Sequence, residues 1–253
     1  MGSITVALLA FGCIVAGIVA GSTLRNRLPE HHLRDDSKDV VKVGTGFIAT
    51  MTALVLGLLV SSAKSSFDAV NTGLMQNGAK VIALDRTLAQ YGPEASDLRQ
   101  TLRRTVAAAI VRWWPEDKAA VAGTDPIDAQ HGMEALRTGI QKLSPKDDTQ
   151  KWFRDQAIQL SSDMVQGRWQ LIEQVQITLP TPFLVVLVSW LTMLFACFSL
   201  LAPRNATVVG VLLLCAFSAS GAIFLLMEMS HPDAGLMKAS CAPLLKAFSL
   251  LGQ

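Results

Sequence analysis

Hydrophobic and polar positions divide the chain into four long apolar runs and one long polar run. Residues 2–21, 43–62, 182–201 and 206–227 carry no charge. A bilayer core requires about 20 apolar residues in helical form. Helices also satisfy their own backbone hydrogen bonds in lipid, where water is missing. The four runs therefore predict four spanning helices. No basic segment precedes residues 2–21 and no small-residue cleavage site follows them, so a retained span is expected rather than a signal peptide. Ala202, Pro203, Arg204 and Asn205 predict a tight turn that makes the last two spans an antiparallel hairpin. Residues 22–42 connect the first two. Chain parity then sets the N-terminus, the polar middle and the C-terminal tail on one side.

The polar run has its own periodicity. Phe67, Val70, Leu74, Asn77, Val81, Leu84, Leu88 and Tyr91 recur in alternating steps of three and four, continuous with the second span. Such a seam fits a coiled coil between copies, with Asn77 as a polar core position that fixes register. It fits equally the buried face of an intramolecular bundle helix. Gly92 and Pro93 end that helix. A second helix is expected over 94–114, ended by Pro115, and a small-residue loop over 119–126. Met133, Leu136, Ile140 and Leu143 mark a short amphipathic helix, and Phe153, Ala157, Leu160, Met164, Gly167 and Leu171 a longer one. The predicted class is an all-α integral membrane protein, with four transmembrane helices in two pairs flanking a helical extramembrane domain. Its parts are a first pair in 1–63 with a polar connection at 22–42, the helical domain in 64–178, a second pair in 179–228 and a tail in 229–253.

Composition agrees with a lipid-embedded chain. Of 253 residues, 51% are hydrophobic and 17% charged, well below the quarter typical of soluble domains. A net charge of +2 provides no basic face for nucleic acid. Cys13, Cys197, Cys215 and Cys241 form no CxxC pair or metal-ligand spacing, and are read as packing residues. No cofactor is predicted.

Three groups carry candidate chemistry. Glu30, His31, His32, Asp35, Asp36 and Asp39 cluster in the first connection. They fit a capped, solvated turn, a divalent-cation site, or a charged vestibule at a pore mouth. Gly46, Thr50, Ala53, Gly57 and Ser61 form a small-residue stripe on the second span. Such stripes let membrane helices pack closely, or leave room for ions and water along a pore; Lys64 and Asp68 then stand at its mouth. Glu228, at the end of the fourth span, is either an interface anchor or a contact to the neighbouring domain. No span holds an ionisable residue in its middle, which opposes a proton-coupled pump. No P-loop, GxSxG or HExxH motif is present, so an enzyme is not expected.

The chain resembles the bacterial bestrophin-like integral membrane family, related in name to bestrophin anion channels. The resemblance lies in the segment Leu28, Pro29, Glu30, His31 to Asp39, in residues 46–68 ending Ser65, Ser66, Phe67, Asp68, in residues 98–115, and in the tail Glu228, Met229, Ser230, His231, Pro232, Asp233, Ala234, Gly235. The tail departs from the family pattern at Ser230, where an acid is usual, and at Asp233, where an aromatic is usual. The resemblance implies a homo-oligomeric ring around a central pore for inorganic ions, pentameric with a tetramer as the alternative. It also implies a multi-pass protein of the bacterial inner membrane with the helical domain and both termini in the cytosol. The positive-inside rule points the other way, since Arg25, Arg27, Arg34, Lys38, Lys42 and Arg204 lie in the short connections; the cytosolic placement is adopted here. The expected function is an ion channel with the second span lining the pore. The alternative is a non-conducting membrane scaffold or sensor whose helical domain binds a soluble partner.

Overall fold

Helices account for the regular structure of this chain. The computed structural model describes residues 2–27, 35–122, 129–176, 181–203, 205–230 and 237–252, without the side chains of 35–38, 129–130 and 175–176. The helices are α1 (Ser3–Arg27), α2 (Asp35–Tyr91), α3 (Ser96–Trp113), α4 (Ala129–Lys142), α5 (Asp148–Gln176), α6 (Thr181–Leu201), α7 (Ala206–Met229) and α8 (Ala242–Leu250). No strand occurs among the described residues. Four helices are long and apolar enough to cross a membrane: α1, α2, α6 and α7. At 57 residues, α2 runs about 86 Å, far more than the roughly 30 Å of a hydrocarbon core. The chain divides into two compact units, Met1–Phe67 with Ile177–Lys238, and Asp68–Gln176 with Ala239–Gln253.

In the first unit α1 packs on α6 and α7. Ile14, Leu187, Ala216 and Ile223 are fully buried between them. Lipid removes most of the hydrophobic drive for such packing, so backbone proximity has to do the work. Gly17 and Gly21, one turn apart, provide it. A methyl group on Gly17 would lie 2.6 Å from the Thr192 carbonyl oxygen, and one on Gly21 would collide with that of Ala196. Ser199 Oγ also donates to the Ile18 carbonyl at 2.7 Å across the same contact. Gly21→Ala therefore forces α1 and α6 apart, at a cost of about 1–3 kcal/mol. Gly12, which faces open space, provides the control. Thermal unfolding in detergent should show a lowered Tm for Gly21→Ala and none for Gly12→Ala; equal melting of the two would refute the close-packing account.

The second unit buries the seam predicted from sequence. Val81, Leu84, Leu88 and Tyr91 of α2 pack with Leu102, Val106 and Ile110 of α3, Leu136 and Ile140 of α4, and Ala157 of α5. The seam is thus the inner face of an intramolecular bundle, and the coiled-coil alternative loses its residues to that core. Asn77 abuts α5 at Gly167, where a Cβ would come within 2.7 Å of its Oδ1. The helix ends at Gly92, whose φ of 131° lies in a region open to glycine and closed to other residues, and Pro93 then starts a short 3-10 turn through Ala95. Of the loop expected over 119–126, Ala119, Ala120 and Val121 belong instead to a 3-10 helix, and 123–126 lie outside the described residues. That helix, Pro115–Val121, forms because proline presets the first turn and Glu116 and Asp117 suit its positive N-terminal end.

Residues 239–252, read from sequence as tail, carry α8 into this core. Ala247, Phe248 and Leu251 are buried, Arg103 lies 5.0 Å over the Phe248 ring, and Trp114 Nε1 donates to the Ala239 carbonyl at 2.8 Å. Cys241 is buried beside them. Burial, and then the neighbouring Asp117 carboxylate, push its thiol up to about 12. A raised thiol pKa means that the neutral form persists until the pH approaches that value. The native protein should therefore resist iodoacetamide at Cys241 at pH 8, where the thiolate fraction is on the order of one in ten thousand. Mass spectrometry should find the adduct after denaturation; rapid labelling of the native protein would contradict it.

Candidate functional site

The candidate site is one face of α2. The apolar half of this helix is the least covered of the four candidate spans, with 11% of its apolar window buried inside the chain. Its inward face is Thr45, Thr52 and Ala63, all buried, with Leu56 and Leu59 packed on the first unit's core. The Thr45 and Thr52 hydroxyls donate to the carbonyls of Val41 and Ile48, at 2.6 and 2.7 Å. Those bonds satisfy polar groups that would otherwise weaken burial.

Roughly a third of a turn away lies the small-residue stripe. Gly46, Thr50, Ala53, Gly57 and Ser61 are all exposed. Apart from adjacent residues and the helix's own backbone, no atom of the described residues lies within 4 Å of where a Cβ would stand on Gly46 or Gly57. Packing within the subunit therefore does not account for the stripe. Thr50 Oγ1 donates to the Gly46 carbonyl at 2.9 Å, which leaves its oxygen lone pairs to face outward. Lys64 and Asp68 continue the same line and are exposed. From Gly46 to Asp68 the helix rises about 33 Å, close to the thickness of a hydrocarbon core. Beside the stripe runs a second exposed line of large apolar side chains, Val43, Phe47, Leu54 and Leu58, between 58% and 75% exposed. Such a line requires lipid or another subunit to cover it.

The first connection is only partly described. Glu30, His31 and His32 lie outside the described residues, and Asp35 and Asp36 open α2 with side chains outside the description. Asp39 accepts a hydrogen bond from Lys42 Nζ at 2.9 Å, both exposed. Among the described residues no group of three His, Cys, Asp or Glu side chains could hold a metal ion. Glu228 is 3% exposed and accepts a hydrogen bond from the Met237 backbone N–H at 3.2 Å, within its own unit.

Sequence reading passed over a buried ion pair. Asp85 is 1% exposed. Arg99 reaches it with Nε on Oδ1 and Nη2 on Oδ2, each at 2.8 Å, and the Gly252 N–H donates to Oδ2 at 3.4 Å. The hydrogen bond with Asp85 holds the Arg99 guanidinium above its usual value. Asp85 sits next to Leu84 in the seam, and a charged residue so close to an apolar stripe was the available signal. Gly17 and Gly21 were also legible, as a GxxxG spacing in an apolar helix.

Fold and site together define an all-helical protein of membrane-protein type, with four membrane-length apolar helices and an exposed face on the second. The chain belongs to the Bestrophin-like family: the sequence model of the Bestrophin-like domain matches residues 12–244. A search of curated proteins found no match. Solved structures give the fold independently. A bacterial bestrophin homologue from Klebsiella pneumoniae, in one point-variant form, aligns with TM-score 0.68 at 13% identity over 99% of this chain and 97% of that one. A second variant gives 0.65 at 14% identity over 99% of both. A crystal structure described as a membrane protein gives 0.65 at 12% identity over 99% of each. At such identities the likeness concerns the fold.

Proposed function

We propose that the protein is a homo-oligomeric ion channel of the bacterial inner membrane, in which α2 of each subunit turns its small-residue face toward a central pore. The observation that carries this reading is the pairing of faces on one helix. Gly46, Thr50, Ala53, Gly57 and Ser61 are exposed, and the space beside Gly46 and Gly57 is open. Beside them Phe47, Leu54 and Leu58 stand ready for an apolar cover. Neighbouring copies around an axis cover the apolar line and leave the small line facing the axis, where small side chains keep the path wide. Lys64 and Asp68 stand at the membrane edge of that path. Membership in the Bestrophin-like family supports the reading, and with it a pentameric ring and a cytosolic helical unit. Permeant species are inorganic ions.

The test is electrical. Purified full-length protein reconstituted in planar bilayers should give discrete, ion-dependent conductance. Its absence across a range of salts and voltages, with oligomers intact by native mass spectrometry, would overturn the reading in favour of a non-conducting scaffold.

A further inference from the structure

Arg25 is the first ionisable side chain in the sequence, and it lies in the last turn of α1. The apolar run 2–21 ends four residues earlier, a rise of about 6 Å. The polar layer on each side of a hydrocarbon core is roughly 5–7 Å deep, so Arg25 stands at headgroup depth. The packing of α1 on α6 shows what lies beside it. Gly17 meets Thr192 and Gly21 meets Ala196, so the two helices run parallel in matched steps of four. Arg25 continues that line, level with the last turn of α6, which ends at Leu201.

The guanidinium there is half-buried. Its Nη1 is buried and makes no hydrogen bond, and no other side-chain atom among the described residues is left so. Arg25 has neither an ion-pair nor a hydrogen-bond partner among the described residues. Nε and Nη2 are equally unpaired but are not buried, so that edge of the fork faces outward. It presents two parallel N–H donors, the geometry that grips a phosphate or carboxylate bidentately. A buried unpaired N–H and an unpaired charge both weaken the fold unless an anion compensates them.

The chain's own described groups do not provide that anion. Asp39 is engaged by Lys42. Arg27 is exposed, likewise without a partner among the described residues, and adds a second positive charge. In sequence, residues 22–42 together with the turn 202–205 hold six basic side chains against four acidic ones. The helices α1 and α6 end on this side while α2 and α7 begin there, so their end charges largely cancel and the side chains set the sign. Leu24, next to Arg25 and 51% exposed, offers an apolar surface to an acyl chain. At this depth the anion at hand is a lipid phosphate.

We infer that Arg25 is a lipid-binding residue: the Nε–Nη2 edge of its guanidinium holds the phosphate of an anionic lipid headgroup where α1 leaves the membrane. A zwitterionic headgroup brings its own ammonium to the same phosphate and is held less well. The site lies within the first unit and is independent of the channel reading.

The experiment uses full-length protein in detergent, with phosphatidylglycerol, phosphatidylcholine or inorganic phosphate added. Native mass spectrometry reads the bound lipid and thermal unfolding reads its effect. Wild type should retain phosphatidylglycerol over phosphatidylcholine and gain Tm from it. Arg25→Gln should lose that preference, with apparent affinity for phosphatidylglycerol falling on the order of tenfold. Arg25→Lys keeps the charge without the fork and should fall between the two; it carries the test if Arg25→Gln fails to fold. Arg112→Gln, at an exposed arginine on α3, should behave as wild type. A wild-type headgroup preference in Arg25→Gln overturns the inference. So does an equal gain in Tm from inorganic phosphate, which would make the ligand a free anion. Loss of the oligomer in Arg25→Gln with lipid retention unchanged also overturns it, and assigns Arg25 to a neighbouring subunit.

Discussion

Arg99→Ala should destabilise the protein by about 3–5 kcal/mol, because it strands a buried carboxylate. Asp85 is 1% exposed. In the native structure two 2.8 Å bonds from the guanidinium and a longer one from Gly252 satisfy its oxygens. After the substitution only the Gly252 contact remains, and a single 3.4 Å hydrogen bond does not replace a bidentate cation. A typical domain has about 5–15 kcal/mol of stability in total, so one side chain controls a large share. For a chain of this size the loss corresponds to roughly 10 °C in Tm, measured by thermal unfolding of full-length protein in detergent. Asp85→Ala should do less harm, since the arginine it releases is already partly exposed, 23% by side chain, and can reach water. Replacing both partners by apolar residues, as in Asp85→Leu with Arg99→Met, should recover much of the loss, since the penalty comes from an unpaired charge more than from a missing attraction. A wild-type Tm in Arg99→Ala would refute the penalty assigned to a stranded Asp85 carboxylate.

That pair also marks where sequence reading stops. The four apolar runs were legible because lipid imposes a length and a composition on any helix that crosses it. The breaks at Gly92-Pro93 and Pro115 were legible because they follow from backbone chemistry alone. The seam from Val70 to Tyr91 gave the correct helix face, but its period could not say whether the covering surface belonged to the same chain. The structure supplies it from α3, α4 and α5 for Val81 to Tyr91, and from Ala239 with Trp114, Leu171 and Leu244 for Val70 and Leu74. Partners distant in sequence left less trace. Asp85 and Arg99 are fourteen positions apart on opposite sides of a chain reversal, so no helical spacing joins them. Leu244, Phe248 and Leu251 do follow a helical period, too short to say which surface covers it. For the candidate site, the stripe residues were readable as small. Their exposure required coordinates, since a stripe that packs and a stripe that faces outward have the same sequence.

Thr50→Trp should remove the current while leaving the fold intact. Thr50 is exposed, with Gly46 and Gly57 near it on the stripe and nothing of its own subunit against them. The position is exposed, so thermal stability and oligomer size should stay at wild-type values. In the assembled ring every subunit contributes one indole to the same level of the path. The added apolar bulk narrows the path and favours its dewetting. A reduction of about tenfold or more in single-channel conductance is expected. Two comparisons fix the interpretation. Leu54→Trp places the same side chain on the neighbouring apolar line, 58% exposed, and should leave conductance largely unchanged if that line is covered by the next subunit or by lipid. Thr52→Trp forces an indole into the inward face, where Thr52 is 4% exposed, and should lower stability, which separates misfolding from blockade. Block by Leu54→Trp with normal current through Thr50→Trp would assign the pore to the apolar line instead. The channel would then be gated by large side chains at its narrowest point, and the small-residue stripe would be the surface on which subunits pack.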